Sequence, residues 1–371
     1  MNNRTLPPIR LIGDSHASRI VAEGGRIVRI EPVAEAAEYL GFPLFHDLHV
    51  HANRSYSLVG AAPQSFEQAV STAVASFETS SFQHYYERCH ALFAQSAEHG
   101  TGTLRTHADL DPAIGLTAID ATLTAARDQD IQKIEVVAFL SGRFDPRDSE
   151  TQKLLEQAVA MGVTHVGAVP CFYDHPDEVI DTLLCLARDL DVQVDVHLDE
   201  HLQSANSFSA HLASQTVQMK LHGRVTLSHG CAISTLPPGQ RDDTIAAIAD
   251  ADIMVVSLPT TNLYLQDRTQ TFPERRGMAP LRELLAKGVR VRLASDNVQD
   301  FFYPYGSADM LDVLGLGVTA GQIDDEIALA RMVCGGHHRP EVGDAMEIIL
   351  FPGTSIRDVL GSARQKRVVL R

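Results

Sequence analysis

The chain has 371 residues, 44% of them hydrophobic, enough to bury a substantial core in one large domain or two ordinary ones, which excludes a disordered polypeptide. With 31 Lys and Arg against 47 Asp and Glu the formal net charge is −16. Long-range attraction to nucleic-acid phosphates or anionic membrane surfaces is therefore opposed, and a small uncharged or cationic ligand suits this field better.

No window approaches the roughly 18 apolar residues of a membrane span, and the opening MNNRTLPPIRLIGD lacks the apolar stretch of a signal peptide. A cytoplasmic location is expected. The five cysteines, Cys89, Cys171, Cys185, Cys231 and Cys334, are scattered without a CxxC pair, which points to buried free thiols rather than a disulfide framework or a thiolate zinc site.

In chain order, residues 8–32 read as short strands around a Gly-Gly turn. The run GFPLF then reads as a buried strand leading into HDLHVH. Residues two apart on a strand share a face, so His49 and His51 can converge on one point. Ser57 to Glu98 reads as a long helical insertion after this first strand, on the side of a barrel where the active face lies.

From about residue 100, short β-branched runs alternate with helical stretches. The runs are TGTLRTHAD, KIEVVAFLSG, THVGAVPCF, VQVDVHLDE, RVTLSHGC, DIMVVSLP and VRVRLASDN. With the first strand they make eight, the count that closes an α/β (β/α)8 TIM-like barrel. A doubly wound open sheet ranks below it, because no glycine-rich phosphate loop follows the first strand. Residues 340–371 read as strands broken by VGD and FPG. Neither chain end can bury a core alone, so the two should meet as one small β-sandwich beside the barrel. The expected division is residues 1–42 and 336–371 for the sandwich and 43–335 for the barrel.

Strands of a parallel barrel are buried, so polar residues at their carboxyl ends are informative. They accumulate here: His49 and His51 on the first strand, His107 and Asp109 on the second, His197, Asp199 and Glu200 on the fifth, His229 on the sixth, Asp296 and Asn297 on the eighth. A catalytic divalent ion takes several neutral imidazoles and a carboxylate with one position left open. His49, His51, His197 and Asp296 would supply that set. The plainer reading, histidines making ordinary hydrogen bonds at a strand end, suits HVH alone but not the recurrence at several strand ends.

The ordered set HVH, RTHADL, VVAF, HLDE, TLSHGCA, TNLYLQDR, PERRGMAPLRELLAKGV and SDNVQDFFYPYGSADML resembles the amidohydrolase superfamily over nearly the whole chain, most closely the bacterial cytosine deaminase group. That resemblance implies one catalytic metal, Zn2+ or Fe2+, held by His49, His51, His197 and Asp296. It implies hydroxide as nucleophile, Asp296 as acceptor of the water's proton, His229 as the residue that orients the hydroxide, and Glu200 as proton shuttle to a ring nitrogen.

The departures concern substrate. Where the family reads its pyrimidine with a glutamine after VAF, this chain has Leu140 and Ser141, with Arg143 nearby. It carries Asn297 where a second aspartate stands, Phe302 for a tryptophan, and Asn53 for the aspartate two residues after HVH. A lost bidentate amide contact leaves a polar edge unpaired, so cytosine itself is not the expected substrate. Ser141, Arg143, Asn297 and Phe302 become candidate substrate contacts for a larger or more acidic ring. The expected activity is hydrolytic deamination of a small N-heterocycle such as a pyrimidine or triazine. The alternatives are ring opening of a cyclic amide or imide, and a non-catalytic metal-binding descendant. Partners beyond the small molecule are not expected, apart from assembly of identical chains, which an acidic surface does not prevent.

Overall fold

The computed structural model describes residues 4–268, 270, 275–363 and 366–371; Pro273 and Glu274 of the PERRGMAP run lie outside them. The chain opens with five strands, β1 (Arg4–Thr5), β2 (Ile9–Leu11), β3 (Ala17–Glu23), β4 (Arg26–Val33) and β5 (Tyr39–Pro43). One residue later it enters β6 (Phe45–Val50), the first strand of a second sheet. There β6 is followed by β7 (Thr101–Leu110), β8 (Lys133–Leu140), β9 (His165–Ala168), β10 (Gln193–Leu198), β11 (Val225–His229), β12 (Met254–Ser257) and β13 (Arg290–Leu293). All neighbours pair parallel, in sequence order.

This is the expected eight-stranded barrel. Its strands are runs such as VVAFL and MVVS, buried on both faces as parallel strands must be when helices cover one side and a packed interior fills the other. The helices show the matching period: the helix Pro176–Asp189 buries Val179, Ile180, Leu183, Leu184 and Ala187 along one stripe. The last strand reaches the first through Asp296. Its N–H donates to the His49 carbonyl at 2.8 Å, and the His51 N–H donates to its carbonyl at 3.1 Å. Below this seam, buried Asp47 accepts from the N–H of Ser295 at 3.1 Å and from its hydroxyl.

After the helix Glu326–Val333 the chain returns to the first sheet as β14 (Ile348–Pro352) and β15 (Val368–Leu370). The chain ends do meet, in a sheet of order β1-β3-β2-β5-β14-β15 with β4 on the free side of β3. Along β14 the side chains alternate: Ile348 and Leu350 join Ile9, Leu11 and Ile20 in a core of the terminal sheet, while Ile349 and Phe351 pack with Leu40 and Phe42 into the barrel core. One strand thus anchors both layers. No helix among the described residues is long and apolar enough to cross a membrane.

The insertion after β6 forms α1 (Phe66–Phe77) and α2 (Phe82–Glu98). Ser65 caps α1, its side chain accepting from the Gln68 N–H. Phe66, Val70, Ala73, Val74 and Phe77 fall on one face, which covers the carboxyl mouth of the barrel, and Glu67, Gln68, Ser71 and Thr72 face solvent.

Candidate functional site

Three imidazoles converge at the carboxyl end of the barrel. His49 on β6 and His51, one residue past its end, converge, and His197 reaches them from β10. His49 Nε2 and His51 Nε2 each lie 3.1 Å from His197 Nε2. Asp296 Oδ1 stands 3.7 Å from His49 Nε2 and 3.5 Å from His51 Nε2. All four residues are buried. Burial first, and then the neighbouring imidazoles and cations Arg105 and Arg54, hold all three histidine pKa values well below the usual 6.5, so the rings are neutral.

Neutral rings cannot make both nitrogen contacts into hydrogen bonds, because one Nε2–H on His197 serves only one of them. A divalent cation about 2.0–2.1 Å from each imidazole nitrogen would place those nitrogens about 3 Å apart. The donor set therefore fits a metal ion: neutral nitrogens, one carboxylate, and an Asp296 Oδ2 that is buried without a partner.

The tautomer of His49 follows from its support. Asp195, on β10, is an acceptor: burial would raise its pKa, but His107, Arg105 and Ser228 together hold it down to about 2. The Ser228 hydroxyl gives its proton to Asp195 Oδ1 at 2.7 Å, so it accepts from His49 Nδ1–H at 2.8 Å. His49 Nε2 is left with its lone pair facing the centre. Arg105 Nη1 donates to Asp195 Oδ2 at 2.9 Å and keeps that carboxylate compensated. Gly167 of β9 permits the close approach of β10, since a Cβ there would sit 2.2 Å from the Asp195 carbonyl oxygen.

His229 ends β11 in left-handed backbone, φ 76°, as Asp296 does at 64°. Such conformations cost free energy in non-glycine residues and recur at functional sites. Asn262 Nδ2 donates to His229 Nδ1 at 3.0 Å, which leaves the proton on Nε2, and that buried N–H has no partner. Although His229 nitrogen lies within 4.8 Å of those of His49 and His197, it therefore faces the centre as a donor. Glu200 Oε1 lies 3.6 Å from His229 Nδ1, and burial raises the Glu200 pKa from 4.5 to about 7. Burial, with Glu200 and Asp300 adding repulsion, also pushes Asp296 well above the usual carboxylate range.

A concave pocket opens over this cluster, the usual setting of a small-molecule site. His51, His197, Glu200, His229 and Asp296 line its floor, with Phe139, Phe172, Phe302 and the apolar face of α1 around them.

The four candidate substrate contacts fare differently. Phe302 is on the wall, its ring 6.0 Å from that of Phe66. Ser141 is on the wall, but its hydroxyl donates to Asp111 Oδ2 at 2.6 Å. Asn297 is there too, with its amide engaged at both ends: Nδ2 donates to Asp300 at 2.7 Å and Oδ1 accepts from Thr261 at 3.1 Å. Arg143 is not among the residues that line the cavity. Buried Asp111 draws its guanidinium away, accepting from Nε at 2.9 Å and from Nη2, and the side chain stays 42% exposed.

Two residues went unassigned in the sequence. Arg54 lines the cavity and forks onto Asp109, with Nε donating to Oδ2 at 2.7 Å. His107 packs against His49, ring centroids 4.0 Å apart and planes tilted by 34°, with Nε2 3.4 Å from Asp195 Oδ1. A cation three residues past HVH and a carboxylate two past His107 were the available signals, but only the β6–β7 pairing joins them. Asp199 anchors the segment after β10, accepting from Ser207, Ser209 and the Phe208 N–H.

The chain is 28% identical to a pterin deaminase of Rhizobium rhizogenes over its whole length and 92% of that protein. It is 28% identical to an N-isopropylammelide isopropyl amidohydrolase of Pseudomonas sp. strain ADP over 78% of this chain and 72% of that one. Among solved structures, 5-methylcytosine deaminase from Klebsiella pneumoniae liganded with 5-fluorocytosine shares the fold at a TM-score of 0.89 and 22% identity, covering 99% of this chain and 96% of that one. The model of the amidohydrolase family matches residues 105–334, more than half the chain and the segment that carries His197, Glu200, His229 and Asp296. The chain belongs to the amidohydrolase family.

Proposed function

We propose that the protein is a metal-dependent hydrolytic deaminase of a small aminated N-heterocycle, with His49, His51, His197 and Asp296 holding one divalent cation, Zn2+ or Fe2+. The observation that carries this reading is the convergence of three neutral imidazole nitrogens and a carboxylate beneath a cavity that also holds a proton-exchanging carboxyl, Glu200. The relatives named as acting on a pterin, on N-isopropylammelide and on 5-methylcytosine support an aminated ring as substrate.

When bound, the cation supplies acidified water as a nucleophile near neutral pH. The protein's residues do the rest. Asp296 Oδ2, buried and unpartnered, accepts the water's proton. His229 Nε2–H donates to the oxygen that adds to the amidine-like ring carbon. Glu200, poised near pH 7, protonates the adjacent ring nitrogen. A second proton passes to the departing amine, so that C–NH2 and water become C=O and ammonia. The apolar face of α1 keeps bulk water from the reacting carbon.

Ring opening of a cyclic amide through a two-metal site suits the residues less well. Its bridging lysine would have to come from the carboxyl end of a middle strand, and the lysine of β8, Lys133, stands at the amino end. The net charge of −16 favours a small molecule over nucleic acid, and free rather than disulfide-bonded cysteines fit the reducing cytoplasm. The test is ammonia release by metal-replete protein across aminated pyrimidines, triazines and pterins, cytosine included, with Glu200→Gln as blank. Release from a ring other than cytosine is expected; silence across the panel with metal bound would reject the reading.

A further inference from the structure

Arg54 is a cation on the cavity wall that the proton-transfer scheme does not use. It follows His51 by three residues, and its side chain is only 11% exposed. Asp109, at the end of β7, accepts from Nε at 2.7 Å and from Nη2, and Asn53 Nδ2 donates to the same carboxylate at 2.7 Å. The guanidinium carbon lies 5.6 Å from the Phe139 ring centroid and 5.7 Å from that of Phe302. The group is thus fixed along one edge and flanked by two rings before any ligand enters.

Of five guanidinium N–H donors, Asp109 takes two, and among the described residues no further partner bonds Nη1 or the second Nη2 hydrogen. The other polar side chains once expected to read the ring are engaged elsewhere: Ser141 and Arg143 with Asp111, Asn297 with Asp300 and Thr261. Arginine stays charged and offers two parallel donors, a match for the lone pairs of one oxygen.

We propose that Arg54 is a specificity-determining residue whose Nη donors read a carbonyl oxygen of the ring, so that the preferred substrate is an oxo-substituted aminated heterocycle rather than the bare aromatic amine. This rests on the deaminase reading. The missing glutamine after VAF is then replaced by a cation in the turn after β6, two strands away, rather than an amide after β8.

The experiment uses matched pairs that differ only in the ring carbonyl: cytosine with 4-aminopyrimidine, isocytosine with 2-aminopyrimidine, pterin with 2-aminopteridine. Turnover by the wild type is compared with Arg54→Gln, and with Arg54→Gln combined with Asp109→Asn, which leaves no unpaired buried charge if the single variant fails to fold. The wild type should favour the carbonyl member at least tenfold in kcat/KM, and the variants should lose most of that ratio, chiefly through KM. The same pairs are titrated by calorimetry into Glu200→Gln protein, so that a carbonyl preference in binding without turnover would sustain Arg54 and reject deamination. A ratio unchanged by removing Arg54, or no carbonyl preference in either measurement, overturns the proposal.

Discussion

The backbone N–H of Asp296 donates to the carbonyl of His49 at 2.8 Å, and their side chains then meet with Oδ1 3.7 Å from Nε2. The hydrogen bond that closes the barrel and the pairing of two proposed metal ligands are one arrangement. Strand register, rather than rotamer choice alone, sets their separation, which suits a site that must be preorganised to within a fraction of an ångström.

His197 contacts both His49 and His51 through the same nitrogen. Replacing it with Ala should reduce bound metal from about one equivalent to below about 0.1 by elemental analysis, with the circular dichroism of the fold retained. Full metal occupancy in His197→Ala would reject this ligand set.

Ser228 holds His49 in the tautomer that bares Nε2. Its removal leaves every proposed ligand in place but takes away the support of His49, so Ser228→Ala should bind metal with affinity lowered roughly 10- to 100-fold. A chelator competition assay reads this directly; wild-type affinity would show that the Ser228–Asp195 support is dispensable.

Glu200 is the proposed proton carrier, and Gln keeps its shape without the proton. Glu200→Gln should retain metal and melting behaviour while kcat falls roughly 10²- to 10⁴-fold. Turnover within a few-fold of wild type would assign the proton transfer to another group.

The same residue makes a stability prediction for metal-free protein. Glu200 has its pKa raised by burial from 4.5 to about 7. Below pH 4.5 both folded and unfolded chains hold this proton. Between the two values only the folded chain does, so its contribution to stability falls as pH rises and is lost above about 7. Glu200→Gln does not titrate. Between pH 4.5 and 8 the wild type should therefore lose about 3 kcal/mol relative to the variant in denaturant titrations. Parallel pH profiles for the two proteins would place the carboxyl in water.

Much of this was local and so could be read along the chain. The two-residue alternation that aims His49 and His51 together is a property of any strand. The succession of β-branched runs and helical stretches set the number of strands, and histidines and carboxylates at the ends of those runs marked the active face. The insertion after β6 was legible as helical and as lying over that face, because its apolar period is itself local.

The partners of the long polar side chains were not local. Arg143 and Ser141 stand near VAF in sequence, but the pairing of β7 with β8 puts Asp111 beside them and takes both. Arg54 gains its partner only because β6 and β7 pair, which brings Asp109 to it from 55 positions away. By itself the sequence determined the strand count and which residue types gather at the barrel mouth, since periodicity and composition act over a few residues. Only the tertiary structure decided which donors are already bonded and which stay open to a ligand, because a buried charge goes to whatever opposite charge the neighbouring strand supplies.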